Sequence, residues 1–163
     1  MRKYYLAYGS NLNERQMKAR CPGAVKIGTA VLDGYRLTFR GDRAGTEGSR
    51  RYRDFGVANI EPRKGCSVPV GIWSITQGDE RSLDRYEGFP NLYYKETINV
   101  RLPDLRKVPA IVYIMSPGRN WAKPTPDYLH TIRTGYRDFG FDDKRLLYAA
   151  RAELKGVSTY GKA

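Results

Sequence analysis

The chain predicts an α+β fold: a mixed, mostly antiparallel sheet curled toward a small barrel, with a few helices at its rim. Three observations carry that expectation. Apolar and β-branched stretches recur along the chain, and most are followed by a turn and another such stretch, which is not the alternation of a parallel doubly wound sheet. Several alternate apolar and polar residues, as in "YKETINVRL", which suits antiparallel pairing with one face buried. The length of 163 residues, with no internal repeat and no long linker, reads as one domain over 1–163 with enough chain to bury a core.

Taken in order, strands are expected at 3–8, at 26–40 as two strands bent near Gly34, and at 56–61, 68–75, 93–102 and 108–115. A short helix over about 14–20 stops at "CPG". A second covers about 79–87, with Asp79 positioned to cap it and Gly88 to end it. A third opens in "PTPDYLHTIRTG", with Thr125 as N-cap, Pro126 at the first helical position and Gly135 past the end. The last covers about 142–154, from Asp142, with Leu146, Leu147, Ala150 and Leu154 at helical spacing.

The net charge of +12 and pI near 9.8 favour anionic partners. Part of the surplus sits in "RGDRAGTEGSRRYRD" at 40–54. Its plain reading is a solvated loop. Only Tyr52 and Phe55 lie near it as stacking platforms, and no RNA- or DNA-binding motif is visible, so nucleic acid is not the expected partner. No stretch approaches the ~20 apolar residues of a membrane span. The apolar run behind Arg2-Lys3 is too short for a signal peptide, so a soluble, cytoplasmic protein with no membrane contact is expected. In that setting Cys21 and Cys66, with no motif around them, are free thiols.

Much chemistry is excluded cheaply. The single histidine, His130, falls inside the third helix and reads as a surface or packing residue. No serine or cysteine sits in an elbow motif, which leaves no triad. Ligands for a His/Cys metal site are lacking, so no metal is expected. "GDRAGTEG" lacks the Gly-Lys-Ser/Thr ending of a phosphate loop.

Two segments remain. In "YYLAYGSNLN" a strand runs into Gly9-Ser10-Asn11 with a helix start behind it. A sharp turn there gathers backbone N–H groups, Gly9 permits unusual angles, and the helix N-terminus adds positive potential, which together suit an anion. A plain turn capped by Asn13 fits the same residues. In "LDRYEGFPNLYYK", Glu87 falls at a helix C-terminus with Asp84 one turn earlier. Helix dipole and like charge both disfavour its ionised form, so its pKa is expected to rise toward what a general acid/base needs. An exposed glutamate fits as well, and Tyr86, Phe89, Tyr93 and Tyr94 suit either a pocket wall or the core.

Together these segments resemble the gamma-glutamylcyclotransferase family. Its glycine-rich signature is matched by Tyr8-Gly9-Ser10-Asn11-Leu12, its catalytic glutamate by Glu87-Gly88, and its follow-on tyrosine by Tyr94. Weaker echoes are "FGVANI", "PVGIWSI" and "AIVYIM", and a Pro-Ser/Thr-x-x-Tyr pattern is matched by Pro124, Thr125 and Tyr128. The chain does not open with the Tyr-Gly-Thr-Leu of the gamma-glutamylamine branch, although "EGFPNLYYK" is similar to that branch, and it lacks the motif set of the glutathione-specific branch.

The resemblance implies a cofactor-free enzyme that releases 5-oxoproline from a small gamma-glutamyl substrate. The substrate's α-amine attacks its own γ-carbonyl. Glu87 would serve as acid and base, the turn at Gly9–Asn11 as the seat of the α-carboxylate, and Tyr94 and Tyr128 as residues closing the pocket or bonding the substrate. The group carried on the γ-carboxyl (amino acid, amine, lysine side chain or antibiotic) and the oligomeric state stay open. A rival reading is a basic, tyrosine-rich module that binds RNA or another anion without catalysis.

Overall fold

The computed structural model describes residues 1–41 and 55–151. In chain order these form β1 (Lys3–Ala7), a 3-10 turn (Ser10–Leu12), α1 (Glu14–Arg20), β2 (Val25–Gly41), β3 (Gly56–Ile75), α2 (Gln77–Tyr86), β4 (Tyr93–Arg101), β5 (Lys107–Met115), α3 (Pro126–Phe139) and α4 (Lys144–Arg151). One sheet runs in the order β2-β3-β1-β5-β4. β1 is antiparallel to β3 and parallel to β5, and the remaining pairs are antiparallel. The mixed, mostly antiparallel α+β architecture is therefore the one expected.

The sheet curls without closing into a continuous ladder. β3 is tied instead to β4 and β5 by single bonds: the Tyr93 hydroxyl donates to the Ala58 carbonyl at 2.6 Å, and the Met115 N–H donates to Asn59 Oδ1 at 2.9 Å. These bonds bring the β3 residues around Ala58 over β4 and β5, where the cavity described below opens. No described helix is long and apolar enough to cross a membrane.

Four expectations are corrected by the packing. β2 is one strand, not two, and β3 joins the expected strands at 56–61 and 68–75. Gly34 takes φ +81°, and the register slips between Asp33, opposite Ser67, and Tyr35, opposite Pro62. Gly34 alone stands opposite residues 63–66 of β3, so the extra residues bulge from β3 and the ribbon bends without ending. α2 starts earlier than expected: Thr76 is the N-cap, and Asp79 is its reciprocal partner, accepting from the Thr76 N–H at 2.9 Å. α3 does not stop at Gly135 but at Gly140, whose φ of +73° suits a C-terminal cap. α4 is Lys144–Arg151, with the Asp142 carboxylate accepting from the Lys144 N–H at 2.8 Å. The expected end of α4 at Leu154, and positions 42–54 of the basic stretch, lie outside the described residues.

Gly135 is inside the helix because nothing larger fits there. A Cβ on it would sit 2.5 Å from the Asn13 nitrogen and 2.6 Å from the Leu12 carbonyl carbon. α3 thus rests backbone-to-backbone on the turn after β1. That turn is also held from below by the core, where Leu12 and Trp73 are fully buried. His130 is exposed on α3, and both cysteines are free thiols, Cys21 buried and Cys66 partly so.

Candidate active site

The turn after β1 is built to present backbone N–H groups. The Leu12 N–H bonds to Gly9 O and the Asn13 N–H to Ser10 O, both at 3.0 Å, closing one 3-10 turn. The N–H groups that open such a turn have no acceptor within it. Trp73 pins the turn, its indole N–H donating to Asn11 O at 3.1 Å.

Two details differ from the sequence reading. Gly9 has φ −117°, so no left-handed conformation requires glycine; proximity does, since a Cβ there would lie 3.1 Å from Ala58 Cβ. The N-terminus of α1 does not line the cavity described below, and two of its donors are taken. Asn13 Oδ1 caps the Gln16 N–H at 3.0 Å, and Asp138 takes the Glu14 N–H at 3.0 Å. The backbone donors that this segment offers to the cavity are those of the 3-10 turn.

Glu87 follows α2 as its C-cap residue, with its N–H on Leu83 O at 2.8 Å. The residue is only partly covered, but its carboxyl group lies on the floor of a cavity of about 330 Å³ that also contains Gly9, Ser10 and Asn11. Asn11 Nδ2 donates to Glu87 Oε1 at 3.1 Å and to the Tyr5 hydroxyl at 2.9 Å. Arg20 sets the orientation of that amide, donating to Asn11 Oδ1 at 2.7 Å and to Ser10 Oγ at 3.2 Å. The guanidinium lies 3.3 Å from the centre of the Tyr86 ring.

Burial pushes the Glu87 carboxyl up to about 7, against the opposing pull of Arg20 and the Asn11 hydrogen bond. The direction is as expected, but the cause is different. Asp84 is engaged elsewhere, accepting from the Tyr113 hydroxyl at 2.6 Å and pairing with Lys95 at 2.9 Å. Loss of water around the carboxylate raises the pKa, rather than a neighbouring charge.

A stability difference follows. Below about pH 4.5 Glu87 is protonated in both the folded and the unfolded chain. Between there and about 7 the unfolded chain loses that proton while the folded chain keeps it, so folding stability falls across this window. Above it the carboxylate is buried and charged, a loss of roughly 2–3 kcal/mol. Urea denaturation should therefore show Glu87→Gln gaining little on the parent near pH 4.5 and roughly 2–3 kcal/mol near pH 8. An advantage that does not change with pH would mean the carboxyl is solvated.

Tyrosines form most of the wall. Tyr8 donates to the Tyr113 carbonyl at 2.7 Å, and Tyr128 accepts from the Ala58 N–H at 3.0 Å. Burial raises the phenols of Tyr5, Tyr8, Tyr93 and Tyr128, so they stay neutral. Phe55, Val57, Leu92 and Tyr86 complete the lining with less covered, mainly apolar surface.

The structure thus gathers Tyr8, Gly9, Ser10, Asn11, Glu87 and Tyr128 around one space. Leu12 lies beneath it in the core, and Tyr94 packs partly buried against the core without lining the cavity, where its neighbour Tyr93 stands. Arg20, Tyr5 and Tyr113 were not singled out from the sequence. They reach the site from the end of α1, from mid-β1 and from β5, and no local pattern marks them.

A family model described as "Gamma-glutamyl cyclotransferase, AIG2-like" matches residues 5–135. A mouse protein named gamma-glutamylcyclotransferase is 30% identical over 137 residues, covering 83% of this chain and 71% of its own length. The human protein of that name is 28% identical over 137 residues, with the same coverage. A solved structure named "Gamma-glutamyl cyclotransferase" superposes with a TM-score of 0.73 at 25% identity, over 100% of this chain and 94% of that one.

Proposed function

Because the chain belongs to the gamma-glutamyl cyclotransferase, AIG2-like family of enzymes, we propose that it releases 5-oxoproline from a gamma-glutamyl amine or gamma-glutamyl amino acid, with Glu87 moving the protons. The observation that supports this is one shared cavity. The Glu87 carboxyl, poised near neutrality, faces the same space as the open backbone donors of the 3-10 turn.

The α-carboxylate sits on the turn at Gly9–Asn11. Glu87, as carboxylate, takes a proton from the α-ammonium. The freed amine attacks the γ-carbonyl carbon, forming the new C–N bond while the carbonyl electron pair moves to oxygen. N–H groups of the turn and the Tyr128 hydroxyl bond that oxygen. As the pair returns, the bond to the departing nitrogen breaks. Two protons pass in all from the attacking to the departing nitrogen, and Glu87 carries them one at a time. A pKa of about 7 lets it accept and donate at neutral pH.

No enzyme nucleophile and no cofactor is needed, since both reacting groups belong to the substrate. Holding it folded supplies part of the ~7–11 kcal/mol available to well-oriented intramolecular attack. The tyrosine wall keeps water from competing for the carbonyl.

Chromatographic detection of 5-oxoproline from a panel of gamma-glutamyl dipeptides, gamma-glutamylamines, gamma-glutamyl-ε-lysine and a gamma-glutamyl-capped aminoglycoside tests the reading. Release from at least one class is expected. Salt-dependent retention on RNA, with no 5-oxoproline from any member, would replace it with the binding-module reading.

The cradle has its own test. Gly9→Val places a branched side chain where a Cβ is already 3.1 Å from Ala58, forcing the turn off its position. Hydrogen bonds to a charged group are worth about 1.5–3 kcal/mol each, so KM should rise about tenfold or more. Unchanged steady-state constants would remove the turn from the binding site.

A further inference from the structure

A second cavity, larger at about 450 Å³, lies between α4 and the bent β2–β3 ribbon. It shares no lining residue with the Glu87 cavity. Its charged lining is Arg36, Arg63 and Arg145, with no acidic side chain among the described lining residues. Glu61, buried beside it, is already engaged by Arg40 at 2.6 Å, Thr38 at 3.0 Å and Arg36 at 3.2 Å. Among the described residues Arg145 bonds only neutral oxygens of Ser67, at 2.8 and 3.3 Å, and no carboxylate pairs with it. Arg63 is exposed and has no ion-pair partner among the described residues.

The unmet polar atoms all have the same character. Arg36 Nε and the indole Nε1 of Trp121 are both buried without a hydrogen-bond partner. Both residues line the cavity. These two atoms lie behind the cavity surface, and the donors accessible from the cavity are the guanidinium groups of the exposed Arg63 and Arg145. Both are cationic donors, which suits an anionic acceptor. The remaining lining mixes Thr38 and Ser67 with apolar and aromatic surface from Leu37, Pro69 and Tyr148, the last 77% exposed. A concave, largely apolar site of this size with a few convergent polar groups is the usual form of a small-molecule site.

We propose that this cavity binds a small organic anion: an aromatic body bearing a phosphate or carboxylate. The anionic group meets Arg63 and Arg145, and the ring packs on Leu37 and Tyr148. The site is separate from the catalytic one, and its occupant need not be a gamma-glutamyl compound. It gives the strongly basic chain an anionic ligand that the Glu87 cavity does not account for.

Cys66 supplies the readout, since it lines this cavity and is partly exposed, whereas Cys21 is fully buried. Alkylation of Cys66 by iodoacetamide, followed by mass spectrometry, should be slowed saturably by phenyl phosphate. The same protection is expected in Glu87→Gln, which keeps this test independent of the catalytic reading. Inorganic phosphate should need at least about tenfold higher concentration, since it lacks the ring. Arg63→Ala and Arg145→Ala should each weaken protection by about tenfold, since each removes one exposed cationic contact. Absence of saturable protection, equal protection by inorganic phosphate, or protection unaltered in Arg63→Ala would overturn the proposal.

Discussion

Glu87→Gln is expected to lower turnover by at least about 10²–10⁴-fold, the usual contribution of a positioned acid/base. The substitution keeps the side chain's shape. It also keeps an oxygen for the Asn11 Nδ2 group that now donates to Oε1 at 3.1 Å, so the Asn11–Arg20 arrangement stays in place. KM should therefore change little, and the loss should fall on kcat. The cavity offers no substitute: its buried tyrosines are shifted upward, away from neutrality. Steady-state release of 5-oxoproline checks this, and near-normal turnover would remove Glu87 from the chemistry. The same variant should be the more stable protein at neutral and alkaline pH, because it sheds a buried charge. Losing activity while gaining stability is a pairing that a merely structural glutamate would not show.

The second large effect is expected at a residue with no functional group. Gly135→Ala adds one carbon 2.5 Å from the Asn13 nitrogen and 2.6 Å from Leu12. α3 and the 3-10 turn must then separate. Overpacking of this kind costs about 1–3 kcal/mol, or about 2–4 °C in Tm for each kcal/mol in a chain of this size. The turn that moves is the one proposed to hold the substrate carboxylate, so KM should rise as Tm falls. Gly78→Ala is the control. Gly78 lies in α2, and a Cβ there has nothing nearer than 3.7 Å. That change should leave Tm level or raise it, through helix propensity alone. If both variants behave alike in thermal melts and kinetics, backbone contact is not what fixes the turn.

Local chemistry made part of this structure legible in the sequence. Thr125 and Pro126 start α3 where a cap followed by a proline should, and the Thr125 hydroxyl accepts the Tyr128 N–H at 3.2 Å. The alternation in "YKETINVRL" is β4 displaced by one residue toward the C-terminus. The turn at Gly9–Asn11 and the carboxyl of Glu87 were both marked by short motifs, and the fold brings them to one cavity.

What was missed depends on neighbours distant in the chain. A glycine within a helical pattern reads as a stop, and only the approach of Leu12 shows why Gly135 stands mid-helix. A glycine within an extended run reads as a break, yet β2 continues through Gly34 because β3 pairs on both sides of it. The raised pKa of Glu87 could be anticipated from a helix end, but its real cause, exclusion of water, involves residues from both halves of the chain. Arg20 illustrates the same point: as a basic residue in the last turn of α1 it looks like ordinary helix chemistry, and its contacts with Ser10 and Asn11 emerge only once α1 folds back on the turn.

The parallel pairing of β1 with β5 has a consequence for the order in which the molecule can be completed. Tyr4 lies opposite Ala110, a contact spanning most of the chain. A nascent polypeptide emerging from the ribosome carries both Gly9–Asn11 and Glu87 well before it carries β5 or α3. Until those later segments arrive, β1 lacks one flanking strand and the turn lacks its helical backing. The turn and the glutamate are therefore translated early but assembled late, and synthesis halted at position 100 would yield both without the cavity that brings them together.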